Sequence, residues 1–398
     1  MIKQGGIIVA NFRKRGAKWY FQIYLGDDPI TGKKKFSSKG GFQTKKEAQL
    51  AAAEIEKEVY ENSYVKEQDT KFQDFTLEWI KIYSESAKVS SVRNRKHNLD
   101  HLNRFFGHKK IKEISRKQYQ AMLTSLHKEG YAFNTLDGIH STGRMVFKKA
   151  VEFHIIKDSP CEFAKIPRKV ETVEDVENNK GEIKFMEKPE LIRFLKAAKE
   201  NGIDKDFPMF LTLAYSGLRI GELMALKWTD IDMARETLRV TKTYYNPSNR
   251  TKEYQLLTPK TKGSIRTIKM DPDVIEVLKK HKVHQEELIS NGYYNQFDFV
   301  FAKEINNPGY PEFLKTVNTR MQRLMKIIGI DKNLTPHSLR HTHTSLLIEA
   351  GVGIKEIQQR LGHGDINTTM NIYAHITENM EEKASQKFSE LMRGSLDL

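Results

Sequence analysis

Helical periodicity switches on and off along this chain, and that punctuation constrains the fold more than any other feature. From Phe72, apolar residues recur at helical spacing in four successive stretches: FQDFTLEWIKIYSES, SVRNRKHNLDHLNRFFG, SRKQYQAMLTSLHKEG and NTLDGIHSTGRMVFKKAVEFHII. Four helices with short polar joints fit this pattern. Pro160 and Pro167 close the run, and VETVEDVENNKGEIKF after them is acidic, polar and aperiodic, as a linker should be. Before the helices, VANFRKRGAKWYFQIYL alternates basic and aromatic residues, GDDPITGKKK makes a turn, and KFSSKGGF reads as a further short strand. The next segment, TKKEAQLAAAEIEKEVYE, is a helix opening on a capping box, Thr44 with Glu47. After the linker MEKPELIRFLKAAKENG resumes helix. WTDIDMARETLRVTKTYY and LLTPKTKGSIRTIKM then alternate β-branched with polar residues as strands do, and the remainder is mostly helical.

The predicted architecture for these 398 residues is a mostly α, multidomain (α+β) protein. A small N-terminal β-sheet plus helix occupies 1–66, a helical bundle 70–170, a linker 171–184, and a mixed, mainly α domain with a small sheet 185–398. Charge narrows the partner. Lys and Arg number 66 against 51 Asp and Glu, a formal charge of +15 that favours a polyanion, with nucleic acid first. No apolar run approaches the roughly 18 residues of a membrane span, and MIKQGGIIVANFRKRG lacks a signal peptide's apolar region. The expectation is a cytoplasmic or nucleoid-associated protein with no membrane partner. The lone Cys161 excludes an internal disulfide and a cysteine-built zinc site, and is read as inert packing.

Two groups of cations are candidate DNA contacts. In the first sheet, Arg13, Arg15, Lys18, Trp19 and Tyr20 combine positive charge with flat aromatic surface, suited to a phosphate backbone and a groove; a solvated strand face is the plain alternative. On the helices, Arg93, Arg95, Lys96, Arg144, Lys148 and Lys149 would give the bundle basic faces able to grip duplex DNA.

Four segments carry polar residues that ordinary packing does not call for. In AYSGLRIGELMALKW, Ser216 and Gly217 break one helix and a second begins with Arg219 and Glu222 at i, i+3; flanking leucines argue for a buried arginine held by Glu222. In TPHSLRHTHTSLLIEAGVG, Thr335 is the expected N-cap, Pro336 the first helical residue, and His337 and Arg340 share a face. His337 and His341 at i, i+4 raise a zinc site, which the intervening Arg340 and the missing Glu of HExxH oppose; an anion suits the cluster better. PKTKGSIRT offers Lys260 and Lys262 on a turn. LGHGDINTTMNIYAHI offers His363 and Tyr373, although Ile366, Met370 and Tyr373 also recur as one buried helical face. Two arginines, two histidines, a lysine and a tyrosine, with no metal ligand set, suit phosphoryl transfer through a tyrosine nucleophile. No GxxxxGK[ST] loop is present, so no nucleoside triphosphate is expected to be consumed.

In order and spacing, AYSGLRIGEL, TPKTKGSIRTI, TPHSLRHTHTSLLIEAG and LGHGDINTTMNIYAH resemble the signature boxes of tyrosine recombinases, nearest the integrases of temperate phages and conjugative transposons of Gram-positive bacteria. The resemblance implies a site-specific recombinase needing no cofactor or metal. Its first domain would bind arm-type DNA sites, its helical domain the core site, and its third would be catalytic. It implies Arg219 and Arg340 as clamps on the scissile phosphate, Tyr373 as nucleophile forming a 3′-phosphotyrosyl bond, and His337 and His363 as transition-state stabilisers. Lys260 would be the acid that protonates the leaving 5′ oxygen, with Lys262 facing the same way by strand alternation, and Glu222 would support Arg219. Implied partners are double-stranded DNA, a homotetramer on it, an excisionase and a host DNA-bending protein. The amphipathic tail through Met380, Ala384, Phe388 and Leu391 would pack in cis or on a neighbour. The rivals are a chromosome-dimer recombinase or type IB topoisomerase, a DNA-binding regulator without catalysis, and a zinc hydrolase.

Overall fold

The computed structural model describes residues 10–27, 32–60, 69–168, 185–259, 262–292, 298–362, 364 and 370, with the backbone alone at 262. The chain divides into two compact units, Met1–Thr172 and Val173–Leu398.

In the first unit, β1 (Asn11–Arg15), β2 (Lys18–Asp27) and β3 (Lys34–Phe42) form an antiparallel sheet in that order, followed by α1 (Lys45–Tyr60). Phe21 and Ile23 from β2 bury against Ala48, Ala52 and Ile55 of α1, so the helix covers one face of the sheet. At its start the Thr44 hydroxyl accepts the Glu47 N–H at 3.2 Å, while Glu47 reaches back to the Gln43 N–H at 3.0 Å. Arg13 pairs with Tyr20 and Arg15 with Lys18, which puts these four side chains on the face that α1 does not cover. Tyr20 lies flat on Gly40, where a Cβ would fall 1.8 Å from its ring, and the Arg15 guanidinium sits 5.8 Å from the ring centre. Trp19 departs from expectation. One residue along, strand alternation turns it to the helix side, where it packs on the core beneath Lys45.

The helical part holds α2 (Phe72–Ser86), α3 (Val89–Phe106), α4 (Arg116–Lys128) and α5 (Phe133–Glu152) around Phe72, Phe75, Leu102, Phe106, Tyr119, Leu123 and Phe147. A polar seam joins α3 to α5: Asn98 donates to the Gly138 carbonyl and the Thr142 hydroxyl, both at 3.0 Å, and Arg95 donates to the same hydroxyl at 2.9 Å. Cys161 is buried, and that burial pushes its thiol up to about 12, leaving no thiolate at neutral pH.

In the second unit, α6 (Lys188–Asn201), α7 (Asp206–Ser216) and α8 (Ile220–Met224) precede a sheet of β4 (Ile231–Asp232), β5 (Thr237–Val240) and β8 (Arg266–Lys269) in that order. The hairpin of β6 (Thr243–Tyr245) and β7 (Gln255–Leu257) stands apart, and α9 (Pro272–Ser290), α10 (Leu314–Ile327), α11 (Ser338–Glu349) and α12 (Ile354–Leu361) complete the unit. Met209 to Ala214 of α7 are all buried, and α6, α9 and α11 pack on it, so α7 is the central helix. The WTDIDMARETLRVTKTYY run forms strands around turns as expected, three of them behind a 3-10 turn at Trp228–Asp230. Two expectations fail locally. A 3-10 turn at Lys262–Ser264 interrupts LLTPKTKGSIRTIKM before β8, so strand alternation does not carry Lys262. Thr335 is no N-cap: its N–H donates to the Ser338 hydroxyl at 3.1 Å, its carbonyl accepts the Ser338 N–H, Pro336 and His337 form a turn, and α11 begins at Ser338.

Candidate active site

The break between α7 and α8 is the first element of the site. Gly217 takes φ +64°, and a Cβ there would meet Leu361 at 2.6 Å and His343 at 2.7 Å, so the turn needs glycine for both conformation and space. Arg219 follows as the N-cap of α8, and Glu222 sits three residues on. Glu222 Oε2 accepts the Arg219 backbone N–H at 3.0 Å, and its Oε1 accepts Arg219 Nη1 at 2.8 Å. Contrary to expectation, the carboxylate rather than the guanidinium is the buried partner: the side chains are 3% and 37% exposed. Glu222 also accepts Arg266 Nη2 of β8 at 3.0 Å, a salt bridge buried on both sides. Burial pushes the Glu222 carboxyl upward, but Arg266 and then Arg219 outweigh it and hold the group below its ordinary value. It is therefore ionised at neutral pH.

Helix α11 adds the second arginine. Arg340, at 1% exposure, donates from Nη1 to the Gly217 carbonyl at 2.7 Å and from Nη2 to the Leu361 carbonyl at 2.8 Å. Burial, then the charge of Arg219, pulls its pKa down to about 9, although Glu222 acts the other way. The guanidinium remains charged at pH 7, buried against carbonyl dipoles, with Glu222 shared among it, Arg219 and Arg266. Such a centre is short of negative charge, and an entering anion would be strongly favoured. His337 stands at the turn before α11, exposed to solvent yet packed on its inner side, with its ring 4.9 Å from that of His341. Burial, then His341, Arg340 and Arg219, push it down to about 4, so the imidazole is neutral and able to take a proton. Among the described residues no group of three or more His, Cys, Asp and Glu side chains is placed to hold a metal ion.

The cluster thus contains Arg219, Glu222, His337 and Arg340 together. Lys260, His363 and Tyr373 lie outside the described residues, as do Ile366, His375 and the tail; Lys262 has only its backbone described. Met370 is 40% exposed, so it is not sealed into the buried face its spacing suggested. Arg93, Lys96, Arg144 and Lys148 are exposed. Arg95 is tied into the α3–α5 seam, and Lys149 pairs with Glu152 at 2.7 Å beside the Phe153 ring. Both of these cations already have partners within the helical bundle.

Three residues escaped the sequence reading. Arg266 shares inward strand parity with the buried Ile268 and Met270, a signal that an arginine was entering the core. His343 hydrogen-bonds the Ala214 carbonyl through Nδ1 at 2.9 Å and accepts Arg360 Nε on Nε2 at 3.0 Å. Burial, then Arg360, holds it near 4, which fits that neutral tautomer. Nothing local announces these two contacts, since the partners lie on different helices.

Comparison with known proteins follows the same outline. A model described as the phage integrase family matches residues 184–380, one described as an arm DNA-binding domain matches 11–59, and one described as a phage integrase N-terminal SAM-like domain matches 71–127. The ICEBs1 integrase of Bacillus subtilis is 27% identical over 385 residues, covering 94% of this chain and 98% of its own. Among solved structures, the Tn1549 transposon integrase in complex with a circular intermediate DNA has a TM-score of 0.63 at 21% identity over 79% of this chain and 99% of that one. A lambda integrase tetramer bound to a Holliday junction has a TM-score of 0.54 at 18% identity over 90% and 96%.

Proposed function

The chain belongs to the phage integrase family of tyrosine recombinases, and on that footing we propose that it is a site-specific DNA recombinase that integrates and excises a mobile element. The observation that carries the reading is the cluster of buried Glu222, Arg266 and Arg340, with half-buried Arg219 anchored on the carboxylate and neutral His337 at the edge. It has the charge and the proton acceptor that phosphodiester cleavage demands.

Arg219 and Arg340 hold the scissile phosphate and neutralise the charge that builds on its oxygens. The Tyr373 oxygen attacks phosphorus while its proton passes to His337. The bond from phosphorus to the 5′ oxygen breaks, and Lys260 supplies a proton to that oxygen. His363 stabilises the same transition state. The 3′-phosphotyrosyl bond conserves the energy of the broken one, so the 5′ hydroxyl of a partner strand can reverse the steps and religate without ATP or a metal.

Residues 1–66 act as the arm-site module, with Arg13, Arg15, Lys18 and Tyr20 on the sheet face that α1 leaves uncovered. Residues 70–170 grip the core site through Arg93, Lys96, Arg144 and Lys148, residues 171–184 link, and 185–398 catalyse. The working assembly is a homotetramer on DNA, nucleoid-associated, directed by an excisionase and a host DNA-bending protein. Among the described residues no helix is long and apolar enough to cross a membrane.

A nicked suicide DNA carrying the attachment site tests the reading. The wild-type chain is expected to form a denaturant-resistant protein–DNA adduct and Tyr373→Phe none. An adduct from the Phe variant would remove Tyr373 as nucleophile, and no adduct from the wild type would favour a DNA-binding regulator.

A further inference from the structure

Helix α12 ends immediately before His363, and the way it ends is unusual. Its last carbonyls have no intrahelical partner. Gly362 closes the helix at φ +67°. Three side chains from the phosphate-binding region take the carbonyls in turn: Arg266 Nε donates to the Arg360 carbonyl at 2.7 Å, Arg340 Nη2 to that of Leu361 at 2.8 Å, and the Ser264 hydroxyl to that of Gly362 at 3.4 Å. Arg266 does more than cap. Its Nη2 donates to Glu222 Oε2 at 3.0 Å, and its Nη1 to the Ser264 carbonyl at 3.1 Å. The side chain is 6% exposed, so water does not compete for these donors.

We propose that Arg266 is a positioning residue for recombination: it ties the carboxylate that orients Arg219 to the C-terminal carbonyls of α12, where Arg340 is also held, and so sets the two arginines of the phosphate clamp in one register. The proposal rests on the assignment of Arg219 and Arg340 above. Arg266 itself need not touch DNA. Only a planar guanidinium can span the three acceptors, because its donors point along fixed, divergent directions from one rigid plane. A lysine keeps the charge but concentrates its donors on one atom, so it can serve Glu222 or the Arg360 carbonyl but not hold both in place. Arg266 lies 44 residues from Glu222 and 94 from Arg360, so no local segment substitutes for it.

The test compares the full-length wild type with Arg266→Lys in single-turnover cleavage of the suicide DNA at saturating protein, alongside DNA affinity and melting temperature. Arg266→Lys is expected to lower the cleavage rate constant by about 100-fold, the scale of an ångström of misplacement at a reacting centre, with affinity and melting temperature close to wild type. Glu222→Gln should then cost far less in the Arg266→Lys background than in the wild type, because the two residues act as one unit. Wild-type cleavage by Arg266→Lys, full additivity of the two substitutions, or a loss that merely tracks affinity or folded fraction would each overturn the proposal. A wild-type chain that forms no adduct would instead overturn the recombinase reading, so the two failures are separable.

Discussion

The two units of this chain use arginine in opposite ways. In the first, Arg13 and Arg15 stand exposed on an uncovered sheet face and Arg93 and Arg144 on helix surfaces, while ion pairs such as Arg104–Glu129 have both partners well exposed. In the second, Arg340 and Arg266 are buried and Arg219 is anchored by a buried carboxylate. An exposed arginine remains hydrated and contributes to a long-range field that attracts DNA and is screened by salt. A buried one has already lost its water, so its attraction to a phosphate is stronger and tightly directional. The contrast separates affinity from chemistry.

The sharpest way to break this contrast is at Arg340. Arg340→Lys keeps the charge but gives up the fork that spans Gly217 and Leu361, and cleavage of the suicide DNA should fall by about 1000-fold, the upper range for losing a preorganised donor. A loss of less than tenfold, measured by single-turnover adduct formation, would place Arg340 with the surface arginines. Acid provides a broader probe of burial. His281 and His343 are buried and each held near 4, His281 by burial despite its bond to the Val300 carbonyl. The unfolded chain binds their protons first, so their stabilisation is complete above about pH 6.5 and fades as pH falls toward 4, by at most about 3 kcal/mol for each group. Urea unfolding at pH 7 and pH 4.5, followed in the second unit alone, should show that decline; equal stability would remove the neutral-histidine assignment. The smallest effect belongs to the surface. Replacing Arg13 and Arg15 by Gln should lower the salt slope of arm-DNA binding by about 2 while leaving the melting temperature unchanged.

How far the sequence could be read follows from distance along the chain. Periodicity revealed the four bundle helices of the first unit, α2 to α5, because each buries one stripe on a common core, and alternation revealed the strands of its sheet. The face taken by Trp19 was misjudged, because composition shows an aromatic strand and only the register shows that Lys14 and Trp19 point toward α1. The start of α11 moved because Ser338 bonds back to Thr335 and makes a turn where a cap was expected. Arg219 and Glu222 were visible as a pair because they are three residues apart. The contacts of Arg266 were not, because its partners come from α8 and α12.

What the sequence determined alone was the order of elements, the positive balance of charge, and the residue types of a candidate phosphoryl-transfer site, since these depend on chemistry within a turn or a strand. What only the tertiary structure decided was which of those charges lose their water. Arg340 meets the Gly217 carbonyl across 123 residues, and its burial, with that of Glu222 and Arg266, arises from α7, α8, β8, α11 and α12 closing on one point. Spacing along a chain can place an arginine on a helix; only packing can desolvate it.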